Sequence, residues 1–194
     1  MIKIELHSAR LKLRLIEDTD WMVVHGLHSL PETDEFNTLG IPKNTDETKM
    51  IIDSWIADHQ QQEIKNYTFA VEQSAKDQFI GLITLKVGNP KYRKAEVWYK
   101  IHVKYWGQGF ATEALNRILD FGLTELKLHR IEAGCAVDNI GSIKVLEKVG
   151  MIKEGRKRQV LPLKSGWSDN FEYAIIETDK RLVDSTMPVN HKNV

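Results

Sequence analysis

The stretch Trp106-Gly107-Gln108-Gly109-Phe110-Ala111 constrains this chain more than any other. An alternating apolar run, residues 95–103, precedes it, and a helical pattern over 112–126 follows it. A strand that stops, a turn carrying two glycines and a helix that starts aim successive backbone N–H groups at one point. Glycine lets the main chain approach an anion without interference from a Cβ atom. The unbonded N–H groups of the first helical turn and the positive end of the helix dipole then favour negative charge there. The motif therefore reads as the seat of a pyrophosphate-bearing cofactor.

Composition narrows the setting of that motif. The chain has 194 residues with 42% hydrophobic content, enough for one globular domain with a substantial core. Lys plus Arg and Asp plus Glu number 27 each, a balance that favours neither nucleic acid nor an anionic membrane surface as partner. No apolar run approaches the roughly 18 residues of a membrane span. Residues 1–6 alternate like a strand and lack a signal-peptide core. Cys135 is the single cysteine, so an intrachain disulfide is impossible and a cytoplasmic location is the simplest expectation.

The period of the apolar residues divides the rest of the chain. Leu11-Lys12-Leu13-Arg14-Leu15 alternates and predicts a first strand. A short helix over 21–30 should close at Pro31, with 31–42 a loop. Asn44 with Glu47 predicts a capping-box start to a helix that buries Ile51, Ile52, Trp55 and Ile56. Strands are predicted at 68–72, 79–87 and 95–103, then the glycine turn and its helix, then a strand at 130–137. A short helix over 143–149 should end at Gly150, and two strands follow, near 154–161 and 170–178. The order β-α-α-β-β-β-α-β-α-β-β predicts an α/β (α+β mixed) fold: a central mixed, mostly antiparallel sheet of about seven strands with helices on both faces. The unit from 95 to 137 should be a parallel crossover. Residues 1–183 read as a single domain and 184–194 as a polar, flexible tail.

This order resembles the general N-acetyltransferase (GNAT) superfamily, and within it the ribosomal-protein alanine N-acetyltransferase branch. The markers are Arg10-Leu11-Lys12-Leu13-Arg14, Phe79-Ile80-Gly81, Ala95-Glu96-Val97-Trp98-Tyr99 and Trp106 to Ala114, followed by Leu128-His129-Arg130-Ile131-Glu132-Ala133 and Asn139-Ile140-Gly141-Ser142 running into Leu146 to Met151. The resemblance implies a sheet splayed at the cofactor site, acetyl-CoA as cosubstrate, and transfer of an acetyl group to a primary amine by direct attack in a ternary complex. The acceptor is either a protein N-terminal amine or a small-molecule amine, and a homodimer is compatible with the branch. By the same resemblance, backbone N–H groups of Gly107, Gln108, Gly109, Phe110, Ala111 and Thr112 wrap the pyrophosphate. Tyr99, Lys100 and Ile101 pair their main chain with the pantetheine arm, and Asn139 holds it from the far side. A non-catalytic acyl-CoA sensor on the same scaffold is the alternative.

The chemistry needs a neutral amine and a proton for the departing sulfur. Glu96, on the strand feeding the loop, reads either as base or amine ligand, or as an exposed strand glutamate. Ser142 reads either as the acid that protonates the thiolate or as a helix N-cap. The resemblance places a tyrosine acid at position 146, but this chain has Leu146, which leaves Ser142 or water. Asn139 could alternatively close an Asx-turn. Glu113 in the first helical turn is expected to point outward. Cys135 sits within a core alternation and reads as buried rather than nucleophilic. Trp21, Trp55 and Trp98 have core spacings, although an acceptor pocket could use them. The basic run 153–158 reads as a solvated strand edge or as a contact to the 3′-phosphate of CoA. The histidines lack metal-ligand spacing, so no metal is expected.

Overall fold

The computed structural model describes residues 3–180. The tail expected at 184–194 lies outside the described residues. Eight strands form one sheet in the order β1-β2-β3-β4-β5-β6-β8-β7. They are β1 (Glu5–His7), β2 (Leu11–Leu15), β3 (Asn66–Gln73), β4 (Gln78–Val87), β5 (Lys94–Ile101), β6 (Arg130–Ala136), β7 (Ile152–Leu163) and β8 (Gly166–Ile176). The helices are α1 (Trp21–His28), α2 (Pro31–Asp34), α3 (Thr45–His59), α4 (Phe110–Asp120) and α5 (Ile140–Lys148). Among the described residues no helix is long and apolar enough to cross a membrane.

The eighth strand, one more than expected, is β1. It lies at the end of the strand-like alternation of residues 1–6, spans only three residues and pairs Leu6 with Leu13 of β2. All neighbours are antiparallel except β5 and β6, the pair joined through α4. The two faces of the sheet carry separate cores. On one, Leu11, Leu13, Phe69, Ile83 and Leu85 pack against Ala114, Leu115 and Ile118 of α4 and Leu146 of α5. On the other, Ala70 and Leu82 meet Val24 and Leu27 of α1 and Ile52 of α3, with Trp21, Trp55 and Trp98 around them. β3 and β4 are buried on both faces, which is why their sequences run apolar instead of alternating.

Four local expectations change. Pro31 does not open a loop; it occupies the first turn of α2, where its missing N–H costs nothing. The helix after the glycine turn begins at Phe110 and leaves α geometry after Asp120. There Leu126 N–H reaches Phe121 carbonyl at 3.0 Å, a widened turn centred near Gly122. A Cβ on Gly122 would lie 2.6 Å from Ile131, so the widened turn packs directly on β6. Helix α5 starts at Ile140, earlier than expected, because Asn139 caps it by accepting the Ser142 N–H at 3.0 Å. Asn44 caps α3 as expected, but Glu47 returns its bond to Lys43 N–H.

β5 and β6 pair only from Lys94↔Arg130 to Glu96↔Glu132. Beyond Glu96 the two strands part, and a wedge opens in the middle of the sheet.

Candidate active site

The glycine turn closes one end of the wedge. Gly107 and Gly109 have φ of +72° and +82°, the left-handed region that side-chain-bearing residues rarely adopt. Gly109 is also the N-cap of α4. The first N–H here to bond back to the protein is that of Glu113, to Gly109 carbonyl at 3.0 Å. Among the described residues, none of the six N–H groups from Gly107 to Thr112 donates a hydrogen bond to the protein. They form a run of donors at the positive end of a helix, lining the wedge through Gly107 and from Gly109 to Thr112.

The turn between β1 and β2 clamps this loop from behind. Glu113 accepts from Ser8 Oγ at 2.8 Å and from the backbone N–H and Nε of Arg10, both at 2.7 Å. Arg10 donates onward to Gln108 carbonyl at 3.2 Å and stacks 4.4 Å from the Phe110 ring centre. Glu113 is thus buried and turned inward, not outward as expected; it avoids the anion site by facing the β1–β2 turn. Glu113→Ala removes the shared acceptor of Ser8 Oγ and of the Arg10 N–H and Nε, three half-buried bonds whose joint loss costs about 1–3 kcal/mol. Its melting temperature should fall by roughly 4–10 °C, and acetyl-CoA should bind more weakly; calorimetry on the purified variant checks both.

The cavity in the wedge measures about 880 Å³. Val97 to Ile101 of β5 form one wall, Ala133 to Ala136 of β6 the other, and α5 closes the side with Asn139, Ser142, Lys144 and Lys148. The α2 turn and its continuation, 35–39, cover the opposite mouth. His102 N–H bonds Ile80 carbonyl on β4 at 2.9 Å. By alternation the main chain of Lys100 also faces β4, and the N–H and C=O groups of Val97, Tyr99 and Ile101 point into the wedge. The Trp106 indole N–H takes one of these, the Ile101 carbonyl, at 2.7 Å.

Side chains alternate the other way. Tyr99 packs on the α4 and α5 face, and burial, partly opposed by the neighbouring Ser142 hydroxyl, pushes its phenol up to about 12. Its hydroxyl is buried and has no partner in bonding geometry. Cys135 lies beside it with a thiol that burial raises to about 11, an inert thiol rather than a thiolate nucleophile. Lys100 enters the other face, where burial lowers its ammonium to about 8 against the opposing pull of Asp34. His28 is held near 4 by burial and then by Lys100 and His25.

The structure gathers Tyr99, Ile101, the glycine loop, Asn139 and Ser142 around one cavity. It does not bring Glu96 to them. Glu96 is exposed, sits opposite Lys86 and Glu132 in the sheet and lies outside the cavity lining, before the strands part. Gln108 turns its side chain to Lys104 carbonyl at 2.8 Å, so only its main chain belongs to the loop. Lys100 presents its side chain, not its main chain, to this region. Ser142 is not the N-cap, since Asn139 fills that position. Lys144 and Lys148 are cavity cations that sequence reasoning passed over; their i, i+4 spacing on the helix after Asn139 was the available signal. The basic run 153–158 does not line the cavity and lies on the exposed strand β7.

Comparison with known proteins decides what this architecture is. Residues 10–152 match the model of the acetyltransferase (GNAT) domain. The chain belongs to the GNAT acetyltransferase family. YnaD of Bacillus subtilis (strain 168), an uncharacterized N-acetyltransferase, is 30% identical over 174 residues, 89% of this chain and 96% of that protein. The spermidine N(1)-acetyltransferase of Vibrio cholerae is 30% identical over 148 residues, 76% of this chain and 82% of that protein. Among solved structures, a GNAT-family acetyltransferase from Bacillus anthracis superimposes with a TM-score of 0.79 at 28% identity, covering 91% of this chain and all of that one. The Vibrio cholerae spermidine N-acetyltransferase solved with CoA and spermine gives 0.78 at 27% identity, with 87% and 96% covered. This GNAT chain is therefore an acetyltransferase, and its parted strands and glycine turn are features of a fold whose relatives are solved with CoA bound.

Proposed function

We propose that this acetyltransferase uses acetyl-CoA to acetylate a primary amine, either a protein N-terminus or a small-molecule amine, by direct attack in a ternary complex. The observation that carries the reading is the run of six unpartnered N–H groups from Gly107 to Thr112, because a protein leaves such donors unsatisfied where a ligand satisfies them. These donors suit a pyrophosphate, and Lys144 and Lys148 add positive charge on the same rim. Acetyl-CoA, when bound, supplies the activated acyl group.

The remaining work falls to the chain. The wedge-facing main chain of Tyr99 and Ile101 offers strand-like pairing to the pantetheine arm, and an N–H there polarises the thioester carbonyl. Asn139 closes the far side. Ser142, next to the Tyr99 hydroxyl, protonates the departing thiolate. Cys135 takes no covalent part, since its thiol stays protonated at neutral pH. The acceptor enters from the mouth that α2 and residues 35–39 cover.

The test is thiol release from acetyl-CoA with a panel of amines. Wild type should release thiol in proportion to acetylated amine, and Ser142→Ala should lose roughly 100-fold in kcat with an unchanged KM for acetyl-CoA. Binding of acetyl-CoA with no thiol release from any amine would instead favour a sensor.

A further inference from the structure

A proton must leave the acceptor ammonium before the amine can attack, and Glu96, the carboxylate expected to take it, is elsewhere. Glu96 and Lys100 share one face of β5, four residues apart, so they stand about 13 Å apart along the strand. Lys100 is the one on the far side of the point where β5 and β6 part. Its position on the cavity wall, under the α2 turn, is where the acceptor would arrive.

Lys100 is an unusual residue to find there. It is 6% exposed and its Nζ has no hydrogen-bond partner. Two further buried polar atoms without partners surround it: Asp34 Oδ1, on a residue 7% exposed, and His28 Nε2, on a residue 2% exposed. Burying an unpaired ammonium costs several kcal/mol, and a chain that tolerates three such atoms in one place has a use for the site. The charged groups facing Lys100 are few. From α1 comes His28, held neutral, with His25 behind it bonding Thr48 at 2.8 Å; from α2 comes Asp34, with Glu32 and Glu35 exposed beside it and lining the same cavity. Leu82 of β4 and Ile52 and Trp55 of α3, the other neighbours on this face, carry no charge.

Building on the acetyl-transfer reading, we infer that the Lys100 side chain is the general base of the reaction and that Asp34 is its positioning partner. The acceptor ammonium gives a proton to the Nζ lone pair. The freed amine lone pair forms the C–N bond to the thioester carbon, the C–S bond breaks, Ser142 gives its proton to sulfur, and the second proton that the new amide nitrogen sheds restores the Ser142 hydroxyl. The new Lys100 ammonium then faces the Asp34 carboxylate, which offsets the cost of charging it. The apolar surroundings keep a usable fraction of the amine neutral, since burial lowers its affinity for the proton to about pH 8.

The neutral amine is the active form, so kcat should rise with pH and level off above about 8. The experiment measures kcat against pH for wild type, Lys100→Met, Lys100→Arg and Asp34→Asn, with an alanyl tripeptide and with spermidine as acceptors. Melting temperature and acetyl-CoA binding are read for each protein. Wild type should show one inflection at the same pH with both acceptors. Lys100→Met and Lys100→Arg should both lose roughly 100-fold in kcat and the inflection, while binding acetyl-CoA normally. Asp34→Asn should move the inflection to lower pH, because the carboxylate that favours the ammonium is gone; this variant serves even if both Lys100 variants fold poorly. A Lys100→Arg enzyme with wild-type kcat would overturn the proposal, since guanidinium keeps the charge but cannot take a proton. So would an inflection that follows the acceptor, or one that Asp34→Asn leaves in place. A wild type that binds acetyl-CoA but transfers to neither amine nor any in the panel would overturn the acetyl-transfer reading itself.

Discussion

Gly109→Val is expected to lose at least roughly 100-fold in acetyl-CoA affinity while keeping its fold, the equivalent of one or two charge-assisted hydrogen bonds. Gly109 has φ of +82°, and a Cβ there would meet only the Arg10 guanidinium, at 3.4 Å, so the cost lies in the backbone. A β-branched residue held in that region costs on the order of 1–3 kcal/mol, so the chain would relax toward negative φ instead. Relaxation turns the N–H groups at the start of α4 away from their common focus. The loop is exposed and contributes no core side chain ahead of Phe110, so melting should fall by only a few degrees. Isothermal calorimetry with acetyl-CoA, paired with a thermal melt, separates the two effects. Wild-type affinity in a folded Gly109→Val protein would remove the glycine turn from the binding site.

Gly81→Ala should have the larger effect on the fold. A Cβ at Gly81 would fall 2.3 Å from Lys100 carbonyl oxygen, 2.8 Å from Ile101 Cδ1 and 2.9 Å from Ile101 Cα. Two of those three atoms belong to backbone, which cannot rotate aside. β4 and β5 must separate locally, breaking pairing at Gly81↔Ile101 in the middle of the sheet. A loss of about 3 kcal/mol is expected, or roughly 10 °C in melting temperature. Turnover at a temperature where the variant is folded should fall further, because the displaced segment carries the wedge-facing main chain of Tyr99 and Ile101, and a 1 Å misplacement can cost about 100-fold. An alanine variant that melts and turns over like wild type would mean that β5 adjusts freely at its end.

Much of the fold was legible because it rests on short-range signals. The alternation of 11–15, the cap at Asn44 and the glycine pair at 107 and 109 each depend on neighbours within a few residues. Where the reading failed, a distant partner decided. The α4 pattern broke at Gly122 because β6 packs on the widened turn. Glu113 was misread because helix position suggests an outward carboxylate, whereas Ser8 and Arg10 arrive from a turn about one hundred residues earlier. Ser142 and Asn139 exchanged cap roles through a shift of three residues in the start of α5, which no local pattern marked.

The base shows the limit most clearly. Alternation along β5 correctly placed Glu96, Trp98 and Lys100 on one face. It carries no information on where along that face the neighbouring strand departs. The amino-acid sequence alone was enough to determine a strand, a left-handed glycine turn and a helix whose N–H groups converge, since those are properties of contiguous backbone. Only the tertiary structure decided that β6 leaves β5 just after Glu96, and hence that Lys100, beneath α2 and beside Asp34, faces the opening. Divergence of two strands is a property of the pair and of the elements packed around them, and neither strand encodes it by itself.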